Sequence, residues 1–278
     1  MDKNLLHGII RAFLREDVGR GDLTSESIFS DHEIGSARLV ARDSFIVAGV
    51  ESVAAEVFKV QNPSVITVDA VADGTMARPK MGLLTVSGPV IDLLKAERVA
   101  LNLLQRLSGI ATLTAQFVDK VKVYAVRITD TRKTTPGLRV LEKYAVRIGG
   151  GANHRFNLTD GVLIKDNHIA ACGSIRDAVE KVRAKIPHTI RIEVETDTLE
   201  QVEECLACGV DSIMLDNMSP EMMSKAVRLI NGRSLVEASG GVTLETVEAV
   251  AMSGVDIISI GALTHSAPSC DIGMDWSF

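Results

Sequence analysis

Aromatic residues are scarce, at 4% of 278 positions with a single Trp, which removes the stacking platforms on which single-stranded nucleic-acid binders rest successive bases. Positive charge is in deficit as well, with 30 Lys+Arg against 36 Asp+Glu and a net charge of −6, so the chain has no general attraction for nucleic acid or anionic membrane. Any anion site must be local. Cysteine is limited to Cys172, Cys205, Cys208 and Cys270, too few and too unevenly spaced for a disulfide framework, and a reducing compartment is expected. No stretch approaches the roughly 20 apolar residues of a membrane span. The opening MDKNLLHGIIRAFLRED interleaves charges with Leu6, Ile9, Ile10 and Phe13 at helical spacing, unlike the unbroken apolar core of a signal peptide. The Gly149-Gly150-Gly151 run has no Lys-Ser/Thr after it, which excludes a P-loop. What remains, with 46% hydrophobic and 24% charged residues, is an ordinary globular protein expected in the cytoplasm.

The second half has a rhythm. Short β-branched runs at Val123–Ile128, Val162–Ile164, Ile190–Val194, Ser212–Leu215, Leu235–Ala238 and Ile257–Ile260 alternate with amphipathic helical patterns. Four helices carry their own start signals. Ser174 with Asp177, and Thr198 with Gln201, have capping-box spacing, Ser219-Pro220 sets a cap before a first-turn proline, and Thr243 opens the last helix. Later strand ends recur about every 22 residues, the length of one strand-loop-helix unit. Six parallel strands with crossover helices fit a doubly wound sheet or a (β/α) barrel. The runs end in functional groups nearly every time, which favours a barrel, where all strands point into one mouth. The first hundred residues instead suggest an α+β domain: an N-terminal helix, strands around Ala37–Ala41 and Val65–Val68, a helix near Val50–Val60, and a turn-rich stretch from Asp73 to Pro89. A long helix from Val90 to Leu107 then leads to a domain join near Gly109.

Charge is concentrated between Arg127 and Asp166, with eight Lys/Arg (Arg127, Arg132, Lys133, Arg139, Lys143, Arg147, Arg155, Lys165) against four acids. Arg132, Lys133 and Lys165 directly follow strands, which aims them into the mouth and predicts a small polyanionic ligand. Glu195 and Asp216, at the ends of consecutive strands, face that cluster and could hold ribose hydroxyls, a divalent cation, or positive charge developing on carbon. Ser239-Gly240-Gly241 and Gly261-Ala262 end the last two strands, where barrels commonly build phosphate sites from backbone amides. The Cys205-x-x-Cys208 pair lies in an amphipathic helix with no second pair and reads as packing. Arg20-Gly21-Asp22 matches an adhesion tripeptide that has nothing to bind in a cytoplasmic protein.

Three segments taken together, Thr129–Gly137 (TDTRKTTPG), 149–155 (GGGANHR) and 163–168 (LIKDNH), resemble the quinolinate phosphoribosyltransferase family. The similarity extends along the chain through Gly21–Thr24, Glu97-Arg98, Leu215–Asn217, Glu237–Gly241 and Gly261–Ser266. It implies a type II phosphoribosyltransferase fold: α/β, with an N-terminal α+β open sandwich over 1–109 and an incomplete (β/α) barrel over 110–266. The tail 267–278, with Trp276 and Phe278, is expected to return to the N-terminal domain.

The implied reaction joins quinolinate to 5-phosphoribosyl 1-pyrophosphate with loss of pyrophosphate and carbon dioxide. By the same resemblance Thr131, Arg132, Lys133, His154, Arg155 and Lys165 contact quinolinate, and Arg98 reaches in from the second subunit of a homodimer. Glu195 and Asp216, with Lys165, form the catalytic group; the two acids meet Mg2+ mostly through the cosubstrate and water. Ser239, Gly240, Gly241, Ile260, Gly261 and Ala262 hold the 5′-phosphate. No covalent enzyme intermediate is expected. Two other enzymatic readings stay open: a paralogue acting on another acid such as nicotinate, and a barrel lyase using Lys165 as a Schiff-base amine. A non-catalytic binding protein on the same scaffold is a third.

Overall fold

In the computed structural model, which describes residues 2–277, local chemistry fixes the first helices. The Asp2 carboxylate accepts the Leu5 N–H at 2.8 Å to start α1 (Lys3–Val18), whose Leu6, Ile10 and Leu14 form one buried stripe. Asp22 caps α2 (Leu23–Ile28) by accepting from Thr24 and Ser25, each at 3.1 Å, so the acid of the Arg20-Gly21-Asp22 tripeptide serves as a helix cap. There follow β1 (Ile34–Ala41), β2 (Phe45–Ile46), a π-helical turn (Val50–Ala54) running into α3 (Ala55–Gln61), β3 (Ile66–Val68), β4 (Met76–Ala77) and β5 (Gly82–Pro89). The expected turn-rich stretch therefore ends in a full strand that pairs with both β1 and β3. Its glycines admit neighbours rather than turns: a Cβ on Gly82 would lie 2.0 Å from the Arg38 guanidine, and one on Gly88 would lie 3.0 Å from Val65.

Helix α4 runs unbroken from Val90 to Val121, well past the end expected at Leu107. Gly109 sits inside it, where a Cβ would come within 1.9 Å of the Pro268 carbonyl oxygen. The glycine marks a close backbone approach, and the helix has no reason to stop there.

The remaining elements alternate: β6 (Arg127–Thr129), α5 (Arg139–Ile148), β7 (Val162–Ile164), α6 (Asp166–Cys172), α7 (Ile175–Arg183), β8 (Ile192–Thr196), α8 (Leu199–Cys208), β9 (Ser212–Asp216), α9 (Pro220–Ile230), β10 (Leu235–Ser239), α10 (Val247–Met252), β11 (Ile257–Ser259) and α11 (Ala262–His265). The six strands are parallel in the order β6-β11-β10-β9-β8-β7. This is an incomplete (β/α) barrel, two strands short of the usual eight. The free edge of β6 carries one parallel bridge, Thr129 to Ala152, with the Ala152 N–H donating to the Ile128 carbonyl at 2.8 Å.

Ser174, Thr198 and Ser219 each cap the helix they precede, and Gly209 and Asn231 end α8 and α9 in the left-handed conformation. Thr243 does not start α10. Its carbonyl and amide are taken up in a turn with Thr246, and the helix begins at Val247. Helix α5 buries Glu142 and Lys143 alongside Leu141, Ala145 and Val146.

The chain then returns. β12 (Ile272–Ser277) pairs antiparallel with β1, completing a four-stranded sheet of order β12-β1-β5-β3. Trp276 lies over Gly35, where a Cβ would be 2.9 Å from the indole; Phe278 lies outside the described residues. The chain divides into one unit made of residues up to Leu113 and from Ala267 onward, and a second unit of Thr114–Ser266. No described helix is long and apolar enough to cross a membrane.

Candidate active site

Register decides which strand residues look into the barrel. Glu193 and Glu195 of β8 pair with Ser212 and Met214 of β9, whose Met214 and Asp216 pair in turn with Glu237 and Ser239 of β10. Residues two apart on a strand share a face, so the inward set forms layers. At the C-terminal ends this set, with the loops that follow, lines a cavity of about 720 Å³ wholly within the barrel unit.

Thr131, Arg132 and Lys133 enter the wall from the loop after β6, His154 and Arg155 from the segment after α5, and Lys165, Glu195 and Asp216 from the ends of β7, β8 and β9. Ser239, Gly240 and Gly241 follow β10, while Ile260, Gly261 and Ala262 follow β11. Arg98 is exposed on the part of α4 that belongs to the other unit and does not line this cavity.

Four of the eight clustered cations face the cavity: Arg132, Lys133, Arg155 and Lys165. Arg132 Nε is buried with no hydrogen-bond partner, and burial together with the nearby Arg132 charge holds the Arg155 guanidinium below its usual pKa. Two confronted guanidinium groups, one with an unanswered donor, make a wall suited to a ligand of more than one negative charge. Across it, Lys165 Nζ donates to Glu195 Oε2 at 2.5 Å, and the Asn217 amide donates to Asp216 Oδ2 at 2.6 Å. The Lys165 side chain is 46% exposed and ion-paired, so it is no desolvated amine of the kind a Schiff base requires.

Of the other clustered cations, Lys143 and Arg139 brace the wall. Lys143 and Asp130 are fully buried and ion-paired, with burial pushing the Asp130 carboxyl up and the Lys143 amine down against their mutual attraction. Lys143 also donates to the His154 carbonyl at 2.8 Å, while Asp130 accepts the His154 N–H at 2.9 Å and the Asn153 amide at 2.6 Å. The pair thus clamps the segment bearing His154 and Arg155. Arg139 ties Thr134 to the Phe156 carbonyl, both at 2.9 Å, and the buried Thr264 hydroxyl donates to the Lys133 carbonyl at 2.8 Å.

Glycine is required at one mouth position. At Gly240, with φ +95°, a Cβ would come within 2.2 Å of Asn217 Oδ1 and 2.8 Å of its backbone nitrogen. The glycine loop leads into a turn before α10, and α11 has four residues, so any anion here is met by loop amides rather than by a long helix terminus.

One layer below the mouth, sequence reasoning missed Glu193 and Glu237. They stand two residues before Glu195 and Ser239, so polar residues at period two in otherwise apolar strands were the available signal. His154 Nε2 lies 3.2 Å from Glu193 Oε2 and 3.5 Å from Glu237 Oε1, and its Nδ1 accepts the Arg155 N–H at 2.8 Å. Both ring nitrogens are thus committed to protein partners. Elsewhere in the unit, burial raises the Cys205 thiol to about 12, the opposite of an activated thiolate.

Comparisons with known proteins agree over the whole length. Residues 22–108 match the model of the quinolinate phosphoribosyl transferase N-terminal domain, and residues 110–275 that of the C-terminal domain. A probable nicotinate-nucleotide pyrophosphorylase [carboxylating] of Bacillus subtilis is 48% identical over 97% of this chain and 93% of its own. The crystal structure of NadC from Streptococcus pyogenes superposes with a TM-score of 0.94 at 41% identity, covering 100% of this chain and 99% of the other. That of a nicotinate-nucleotide pyrophosphorylase from Ehrlichia chaffeensis gives 0.92 at 45% identity over 97% and 98% of the two chains.

Proposed function

The chain belongs to the quinolinate phosphoribosyltransferase family and is a phosphoribosyltransferase of nicotinate nucleotide biosynthesis, and from that premise we propose how its own residues do the work. It transfers the phosphoribosyl group of 5-phosphoribosyl 1-pyrophosphate to quinolinate, releasing pyrophosphate and carbon dioxide and leaving nicotinate mononucleotide. The observation that carries the site assignment is the confrontation of Arg132 and Arg155, one with an unpartnered buried donor, in the wall of the barrel cavity.

Quinolinate presents two adjacent carboxylates. Arg132, Lys133 and Arg155 answer them, with Thr131, Lys165 and His154 completing the surround and each cation relieved of its neighbour's charge by the dianion. Displacement at the anomeric carbon builds oxocarbenium-like charge, which Glu195 and Asp216 favour from the opposite wall. The Lys165 partner of Glu195 and the Asn217 amide on Asp216 hold those carboxylates in place. Ser239, Gly240, Gly241, Ile260, Gly261 and Ala262 receive the 5′-phosphate on loop amides with no side chain in the way at Gly240. Once the pyridine nitrogen is ribosylated, the ring itself accepts the electrons left when carbon dioxide departs. The protein needs no nucleophile and forms no covalent intermediate.

Glu195 and Asp216 are hard oxygen donors that would suit Mg2+, which when bound would offset the leaving group's charge. Two carboxylates, one already held by Lys165, are too few for a cage of protein ligands, so the cosubstrate would have to bring most of the coordination. We also assign Arg98, exposed on α4, to the cavity of a second copy, which makes a homodimer the smallest complete enzyme. The cytoplasm is the assigned compartment, in keeping with four free cysteines.

The test is turnover: stoichiometric pyrophosphate and carbon dioxide from the two substrates. Use of nicotinate with none of quinolinate would reverse the choice of acid.

A further inference from the structure

The reaction leaves one proton unassigned. When the bond from C2 to its carboxylate breaks, carbon dioxide departs and the electron pair stays on C2, whereas the product carries a hydrogen there. Resting on the functional reading above, we propose that Glu237 is the acid that delivers this proton.

The geometry sets it apart from the other acids of the wall. Glu195 is held by Lys165 and Asp216 by Asn217, both at the outer ring. Glu237 stands one layer deeper on β10, its side chain 3% exposed, yet it lines the substrate cavity. Its Oε1 is buried with no hydrogen-bond partner. The His154, Glu193 and Glu237 polar atoms lie within 4.8 Å of one another.

Such a trio could hold a cation or a proton, and the histidine decides between them. Its Nδ1 accepts the Arg155 N–H, so Nε2 carries the hydrogen and points it at the two acids, leaving no lone pair for a metal. Two carboxylates this close do not both ionise cheaply, and Glu237 is the more deeply buried of the two. Burial, with Glu193's charge next and His154 opposing, raises Glu237 to about 7, so the proton resides there and can be given up near neutrality. In the main cavity the charged groups that share its wall are Arg132, Lys133, Lys165, Glu195 and Asp216, and behind it are Arg155, Arg127 and Arg191. The last three line, with the trio, a second cavity of about 220 Å³ on the far side of the layer, through which solvent can resupply the acid.

In the step itself the C2–carboxylate bond breaks, the pair is held by the ribosylated ring, and the Glu237 O–H bond gives its proton to form C2–H. Glu237, left as the carboxylate, is reprotonated from the Glu193–His154 side.

The experiment compares wild type, Glu237→Gln and Glu193→Gln on quinolinate and 5-phosphoribosyl 1-pyrophosphate across pH. The amide of Glu237→Gln keeps the shape and lacks the acid, so kcat should fall on the order of 100-fold with quinolinate affinity within a few-fold. First-turnover pyrophosphate should then run ahead of nicotinate mononucleotide. Wild-type kcat should decline as pH rises through the ionisation of Glu237, and Glu237→Gln should lose that limb. Glu193→Gln removes a charge that raises Glu237, so its limb should move to lower pH, a shift that a merely structural role would not produce. If wild type turns over while Glu237→Gln keeps its rate and its limb, the proton assignment is wrong and the functional reading stands. If Glu237→Gln does not fold, an unmoved limb in Glu193→Gln overturns the assignment alone. No turnover by wild type overturns both.

Discussion

The two units solve the problem of an interior in opposite ways. The sheet unit fills its core with Leu39, Phe45, Phe58, Leu83, Leu84 and Leu93, all buried to 1% exposure or less, and its few buried polar groups, Ser25, Glu56 and Ser108, are each answered by a neighbour. The barrel unit buries Asp130, Glu142, Lys143 and Glu237, leaves Thr129 and Ser259 hydroxyls unpartnered, and fills its strand interior only partly with apolar side chains. A barrel with every strand layer apolar would be a packed core with no room for chemistry. The contrast shows where this chain accepts a loss of stability: around the cavity, and hardly elsewhere.

Five substitutions sharpen or break that contrast. The largest effect is expected from Lys143→Met, which strands Asp130 as a buried unpaired charge and should cost about 3–5 kcal/mol in urea unfolding. Because the pair clamps His154, turnover should fall with it; a stable, fully active variant would mean the clamp is dispensable. Leu84→Ala, in β5, should cost about 2–5 kcal/mol by cavity formation while turnover per folded molecule stays at the wild-type value, and a specific loss of kcat would blur the division. Glu195→Gln reverses the pattern: turnover should drop on the order of 100- to 1000-fold, with little change in unfolding midpoint and quinolinate affinity largely kept. Unchanged turnover in both this variant and Asp216→Asn would remove the acids from the mechanism. The smallest effect is Arg155→Met, for which calorimetry should read a loss of about 1.5–3 kcal/mol in quinolinate binding, the worth of hydrogen bonds to a charged group.

Much of the barrel was legible because its signals are local. A strand run ending in Lys165-Asp166, Glu195 or Asp216-Asn217 announces both the strand and the direction of its last side chain, and Ser174, Thr198 and Ser219 start their helices with their own oxygens. The failures are equally physical. Gly82 and Gly88 read as turns because a sequence does not reveal that Arg38 of β1 and Val65, just before β3, press against them. Leu107 read as the end of α4 for the same reason: the helix runs on through Gly109, whose partner Pro268 lies far along the chain. Lys143 belongs to the cationic cluster in sequence but not in the cavity, because Asp130, far from it in spacing, pairs with it inside the fold. Glu193 and Glu237 had no site role from their spacing, because the functional signal sits at strand ends, whereas alternation extends the same inward face one step deeper.

The return of β12 to β1 sets the order in which the chain can mature. Thr114–Ser266 is continuous and can collapse as soon as it emerges from the ribosome, but the sheet unit is split around it. Until Ser277 has been synthesised, one edge of β1 stays open as a row of unpaired amides and carbonyls. The nascent enzyme therefore carries an unfinished sheet behind a finished barrel, and that interval is when another chain can most easily take the strand's place.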